Sequence, residues 1–385
     1  MNIEIEGKKL EGKEEMGKKI QEFVKRETVL VLSFLLAVVS CFLVRPDRQY
    51  AGYIDIGTLI VLFCLMAVVA GMKELGMFQV IGEGLLGRIQ SRRGLVLVLV
   101  FLCFFSSMLI TNDVALITFV PLALLILHMT DQKSAVCFVV TLMTIGANLG
   151  SMLTPVGNPQ NLYLYSVSGM KLGAFLWLML PYTLVSAIGL VGCVYLVYRK
   201  KEDIRYTPQK TEITDRKRLG IYLLLFGICL LSVDGVISRP VLLILNSVCI
   251  FFTDRRLLKK VDYSLLATFV CFFIFIGNMG RFPVFCQWIK GMLQGHVRLA
   301  AVGISQVISN VPAALLLSGF TEEWKELIIG TNVGGLGTLI ASMASLISYK
   351  QIAVKNPELK NRYLALFTLL NLIFLMIFAG ISFVL

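Results

Sequence analysis

The chain has 385 residues, 57% of them hydrophobic and only 16% charged, with a mean hydropathy of +0.81. Soluble domains run near half apolar and a quarter charged, so a soluble two-domain enzyme, a disordered chain and a secreted disulfide scaffold are excluded. The formal charge of +12 invites a nucleic-acid reading until the cations are located along the chain.

A membrane-spanning helix needs about 20 mostly apolar residues. Residues 1–27 hold seven Lys/Arg against seven Asp/Glu and place Met16, Ile20, Phe23 and Val24 on one helical face. That pattern predicts an interfacial helix on the cytoplasmic surface and no secretory signal. Apolar runs follow at 28–44 and 54–71. The stretch 94–128 is then broken near its middle by Thr111-Asn112-Asp113. About 15 apolar residues on each side are too few for two full spans, which predicts a re-entrant helical hairpin with a buried or cavity-lining tip. Run 134–165 is apolar but interrupted by Gly, Asn, Thr and Pro, and 172–198 is a clear span. A basic linker at 199–217 leads to an extra helix at 218–232 and spans at 238–253 and 263–277. A second hairpin, 296–320, breaks at Ser309-Asn310-Val311. A second interrupted run, 325–349, and a last span, 362–384, complete the chain.

With the N-terminus inside, the segments 1–27, 72–94, 129–134, 199–218, 254–262 and 346–362 carry 28 of the 36 Lys/Arg. This satisfies the positive-inside rule, so the basic balance reports orientation and lipid contact, and nucleic acid is not a partner. The nine cysteines occur singly and read as small buried hydrophobes. His128 and His296 are too far apart to build a metal site, and no cofactor is expected.

The halves resemble each other. Asp55, Leu59 and Cys64 match Asp262, Leu266 and Cys271 at a constant offset of 207. Thr111-Asn112 matches Ser309-Asn310, and beyond each hairpin the pattern G-x-N-x-G-x-x-x-T recurs, at Gly146–Thr154 and Gly330–Thr338. Asn112 and Asn148 are 36 residues apart but Asn310 and Asn332 only 22, which predicts a shorter return arm in the second hairpin. The unpaired run 218–232 inverts the second copy, giving repeats at 28–198 and 238–385. The predicted fold class is therefore an all-α integral membrane transporter of inverted repeats, with two re-entrant hairpins and two unwound transmembrane helices.

Four groups of residues carry the candidate site. Where a helix breaks in the bilayer, the second arm begins with free N–H groups and a positive dipole end. Thr111 and Ser309 are good N-cap types, Asn112 and Asn310 add amide donors and acceptors, and Val311 completes the second tip. Such a tip suits an anion on N–H groups or a hard cation, such as a coupling Na⁺, on carbonyl oxygens. Asn148, Gly150, Ser151, Thr154, Pro155, Gly157, Asn158, Pro159, Gln160 and Asn161 predict an unwound segment, because two prolines and two glycines cannot continue a helix. Thr331, Asn332, Gly334 and Thr338 form its glycine-rich counterpart. The two tips are expected to converge on one site. Asp113 is the acid placed deep in the membrane; dipole and burial act on its charge in opposite senses, which suits a coupling residue that alternates between charged and neutral.

These motifs carry a family likeness. N-D-x-A-L…T-x-x-P from Asn112 to Pro121, T-P-x-G-N-P from Thr154 to Pro159 and S-N-x-P from Ser309 to Pro312 resemble the ion transporter superfamily. The nearest branches are the arsenite/antimonite permeases, with related sodium/proton antiporters and citrate permeases, and the likeness covers most of 28–385. It implies a transport domain holding hairpins and unwound helices, a scaffold domain, a homodimer in the cytoplasmic membrane and elevator-type alternating access. In dicarboxylate members each tip reads Ser-Asn-Thr, whereas Asp113 and Val311 hold the third positions here.

The expected function is secondary active transport of a small ion, coupled to H⁺ or Na⁺. A metalloid oxyanion or other small anion ranks first, cation/proton exchange second and a citrate-like carboxylate third. A channel is the non-carrier alternative, disfavoured because half-helices closing on a central site leave no continuous pore. Enzyme activity is not expected, since the sequence has no H-E-x-x-H, no paired catalytic acids and no G-x-S-x-G.

Overall fold

The structure, a computed structural model, describes residues 21, 23–24, 27–87, 89–200, 202–204 and 211–383. Most of the interfacial helix expected over 1–27, including Met16 and Ile20, and part of the basic linker lie outside these residues. Among the described residues every regular element is helical, apart from one isolated bridge between Ser91 and Asp203. Seven helices among the described residues are long and apolar enough to cross a membrane.

In chain order the helices are α1 Thr28–Leu43, α2 Tyr50–Tyr53, α3 Ile56–Glu74, α4 Met77–Leu86, α5 Arg92–Ile110 and α6 Asn112–Met129. They continue with α7 Val136–Ser151, α8 Pro159–Ser168, α9 Leu172–Val197, α10 Arg216–Val233, α11 Arg239–Thr253 and α12 Tyr263–Gly280. The last six are α13 Pro283–Leu293, α14 Val297–Ile308, α15 Asn310–Ser318, α16 Trp324–Val333, α17 Met343–Lys355 and α18 Lys360–Ile381. Local chemistry sets several boundaries. Ser91 accepts from the Gly94 amide at the start of α5, Asp215 from Lys217 and Arg218 at α10, and Asp262 from Leu265 at α12. Gly76 (φ +79°) and Gly169 (φ +61°) turn the chain after α3 and α8 in the left-handed region.

Two compact units divide the chain. In the unit formed by the chain up to Asp55 and Asp262–Gln287, α12 lies along α1. Asn278 donates to Ser40 Oγ (2.9 Å) in that seam, and both residues are fully buried. At its end Arg281 reaches Asp47 (2.7 Å) and Tyr53 Oη (3.0 Å), and the guanidinium holds the Asp47 carboxyl below the usual carboxylate range. The second unit, Ile56–Val261 with Trp288–Leu385, contains both broken hairpins. Helix α3, matched in sequence to α12, belongs here and packs against α10 and α11.

The hairpin arms differ from the expected 15 residues. In the first they are 19 and 18 residues long, because the Ser91 cap starts α5 at Arg92 and Asn112 and Asp113 already belong to α6, so each arm is by itself long enough to cross a membrane. In the second they are 12 and 9, which accounts for much of the shorter Asn310-to-Asn332 spacing.

The sequence repeat is also a repeat of contacts. Helix α7 packs along α5, and α16 along α14, in one register. A Cβ on Gly150 would lie 2.8 Å from Ser107 Oγ, and one on Gly334 2.6 Å from Ser305 Oγ. Ser107 and Ser305 each stand four residues before their tip. Thr154 Oγ1 donates to the Met108 carbonyl, and Thr338 Oγ1 to that of Gln306 (3.0 Å), each three residues before its tip. Small residues at these positions let the paired helices approach closely, as membrane helix contacts require.

A candidate site where two broken hairpins meet

Both tips carry the same strained backbone. Thr111 has φ 64° and ψ 148°, and Ser309 φ 77° and ψ 154°. This region is essentially reserved for glycine, and a β-branched threonine in it costs on the order of 1–3 kcal/mol. The same distortion therefore recurs at matched positions of two hairpins. It also overturns a detail of the sequence reading, because neither Thr111 nor Ser309 caps its helix through its side chain. The positive φ turns the hydroxyl away from the amides of the next turn. Asn112 Oδ1 accepts from the Asp113 amide instead (2.9 Å), and Ser309 Oγ donates to the Ala341 carbonyl (3.4 Å).

Asn148 is the hub. Its Oδ1 accepts from Asn112 Nδ2 (2.9 Å) and from Ser342 Oγ (3.0 Å), while its Nδ2 donates to the Gly335 carbonyl (3.4 Å). The Asn310 amide packs on that same Gly335, with Nδ2 2.8 Å from where a Cβ would sit, and the Asn310 N–H donates to Ala341 O (2.9 Å). Asn112 and Asn310 are thus linked through Asn148 and Gly335.

The first unwound segment runs between the end of α7 and the start of α8. Its central turn is a 3₁₀ turn, Pro155–Gly157, capped by Thr154 Oγ1, which accepts from the Gly157 amide (3.1 Å). Pro159 begins α8, where its missing N–H costs nothing. Asn161 turns its amide back toward the carbonyls of Ser151, Met152 and Thr154 at 3.4–3.5 Å. Asn158 donates to Ser151 Oγ (2.7 Å). Across the repeat, Asn332 donates to Asn161 Oδ1 (2.7 Å). Gly157 has no room for a side chain, because a Cβ would overlap the Ser151 carbonyl.

The second segment, 334–342, is held differently. It has no proline, and Gln306 of α14 takes that part. Gln306 Nε2 donates to the carbonyls of Gly334 (2.9 Å) and Leu336 (3.0 Å), and its Oε1 accepts from the Thr338 amide (2.9 Å). Gly337 (φ +102°) lets the chain pass under that amide. In lipid these backbone groups have no other partner. Gln306→Met keeps the bulk and removes every bond, so it should raise the KM for transport roughly tenfold, since two or three lost hydrogen bonds at about 1 kcal/mol each loosen the segment. A KM within twofold of the parent, at equal surface expression, would refute that role.

Not every expected residue points into the site. Thr331 Oγ1 bonds back to the Leu327 carbonyl one turn earlier (2.8 Å), and Thr338 is exposed. Val311 is buried with the apolar core. Asp113 is half-buried in the first turn of α6. Sequence reading passed over Gln306, Ser342, Ser107 and Ser305, for which the only signal was their position beside matched motifs.

Three polar atoms of this region find no protein partner: Asn158 Oδ1, Asn332 Oδ1 and Gln160 Nε2, on residues 2%, 3% and 1% exposed. Among the described residues, the fully buried polar side chains include no Lys, Arg, Asp or Glu. The arrangement offers two acceptors and a donor, and the acid bonded into the same network is the half-buried Asp113 of the first tip.

The profile of the citrate transporter family, CitMHS, matches residues 17–322. The chain belongs to that family. An uncharacterized transporter of Methanocaldococcus jannaschii is 33% identical over 337 residues, covering 85% of this chain and 90% of that protein. The silicon efflux transporter of Oryza sativa is 34% identical over 140 residues, 36% of this chain and 28% of the rice protein. Among solved structures, the Alcanivorax borkumensis YdaH transporter superposes with a TM-score of 0.52 at 13% identity, covering 92% of this chain and 95% of that one, which shows a shared fold. This citrate transporter family member is a multi-pass membrane transporter.

Proposed function

We propose that this citrate transporter family member is a secondary active transporter for a small metalloid hydroxide or oxyanion, coupled to protons or sodium. The observation that carries the substrate class is the set of unpartnered amide atoms, Asn158 Oδ1, Asn332 Oδ1 and Gln160 Nε2, in a region where the described buried side chains include no Lys or Arg. Buried polar groups call for partners. A solute bearing both O–H donors and oxygen acceptors supplies them, and one that is neutral or singly charged avoids most of the cost of crossing an apolar medium. A citrate trianion would need buried cations. The likeness to the rice silicon efflux transporter supports the same class. Asn158 and Asn332 would also serve a cation through their oxygens, so cation/proton exchange is the second reading.

In this reading the hairpins are re-entrant, the repeats are inverted, and the hairpin-bearing part moves in an elevator-type cycle within a homodimer. The Lys/Arg-rich loops face the cytoplasm. Cysteines placed at Glu212 and Lys355 on a cysteine-free background should react with an impermeant maleimide from the cytoplasmic side, and one at Val236 from outside. Labelling of Glu212 from outside would reject this orientation.

The test is counterflow in proteoliposomes with arsenite, silicic acid, citrate and sodium offered separately. Saturable exchange of a metalloid hydroxide, lost in Asn158→Leu, is expected. Exchange of citrate alone would overturn the substrate class.

A further inference from the structure

A second row of buried polar groups leads away from the site. Helices α7 and α17 run antiparallel, with Ser342 Oγ on Asn148 (3.0 Å) and the hydroxyls of Thr144 and Ser348 in a 2.8 Å hydrogen bond. That register puts Ser345 between the two bonded pairs, and Thr141 one turn beyond Thr144 on the same face of α7. Tyr363 lies in the first turn of α18, which packs against both α7 and α17. Thr141, Thr144, Ser345, Ser348 and Tyr363 are all 0% exposed.

Hydroxyls between membrane helices act as glue when they bond each other or the carbonyl one turn back. Thr144 does both, since it also reaches the Val140 carbonyl (2.7 Å). Thr141 Oγ1, Ser345 Oγ and Tyr363 Oη complete no hydrogen bond within the protein. Three orphan hydroxyls along one seam about 10 Å long, interleaved with two bonded pairs, call for partners that ordered water would supply, each water needing 2–4 polar partners. The seam starts at Asn148, the hub of the candidate site. It ends where Lys133, Lys355 and Lys360 flank the starts of α7 and α18 and the end of α17.

We propose that the seam of α7, α17 and α18 holds a short file of internal waters that gives the site access to protons from the lysine-rich end of these helices. Each water in such a file accepts a proton on one side as it releases one on the other, so every oxygen returns to neutral and one proton is moved from end to end. The role in proton access rests on the proton-coupled form of the function proposed above; the presence of water does not.

Radiolytic hydroxyl-radical footprinting of the full chain in nanodiscs tests the water directly, because radicals form from bound water beside a buried ring. Tyr363 should be modified at least tenfold faster than Phe119, which is equally buried among apolar neighbours. The paired substitution Thr141→Val with Ser345→Ala should slow Tyr363 modification severalfold, and Thr141→Ser should leave it unchanged. Modification of Tyr363 as slow as that of Phe119, or unaffected by the paired substitution, would overturn the proposal. The paired variant should also shift the pH dependence of uptake while the substrate KM stays within twofold, and an unshifted profile would remove the role in proton access. Asn112→Ala reports separately on the site: transport that survives it rejects the site reading and leaves the Tyr363 result standing.

Discussion

Asp113→Asn should abolish accumulation against a gradient while leaving substrate exchange within severalfold of the parent. Asp113 occupies the first turn of α6, directly after a tip forced into glycine-like backbone, and its amide is bonded to Asn112 Oδ1. Asn112 is in turn bonded to the Asn148 hub. A carboxylate there is favoured by the N-terminal dipole and disfavoured by burial. A coupled carrier needs such a group, because a charge without a counter-ion is costly to carry through the bilayer whereas a neutralised one is not. Asparagine preserves size and hydrogen bonding and removes only the change of charge. Counterflow and gradient-driven uptake, measured side by side in proteoliposomes, separate the two functions. If the variant still concentrates substrate with the parent's pH dependence, Asp113 is a helix-capping acid and the coupling lies elsewhere.

Asn148→Ala should be the most damaging single change in the site, lowering uptake by about 10- to 100-fold. It removes one acceptor shared by Asn112 and Ser342 and one donor to Gly335. Each buried partner left unsatisfied costs about 1–3 kcal/mol, and the loss falls on the link between the two hairpin tips. Asn112→Ala removes a single bond of that set and should cost less. Uptake normalised to folded protein at the membrane is the measurement. Equal effects from the two substitutions would mean that Asn148 does not act as the hub.

Much of the architecture was legible because its signals are local. Continuous apolar runs become helices wherever lipid or protein takes up their surface, so run 54–71 appears as Ile56–Glu74 and run 172–198 as Leu172–Val197. Thr111, Ser309 and the Pro155–Pro159 stretch announced breaks, because proline and short polar insertions forfeit helix hydrogen bonds at their own positions. The order of hairpin and G-x-N-x-G-x-x-x-T motif announced the repeat, and the contacts at Gly150 and Gly334 follow from it. What only the tertiary structure decided are pairings between distant segments. Asn161 with Asn332, Asn148 with Ser342, Thr144 with Ser348 and Gln306 with the 334–338 segment join residues up to 204 positions apart or on different helices. A side-chain amide or hydroxyl can bond many groups, and only the register in which helices pack selects one. The same reason explains the capping error at Thr111 and Ser309: residue type predicts a cap, but the packed tip imposes a backbone conformation that points the hydroxyl elsewhere.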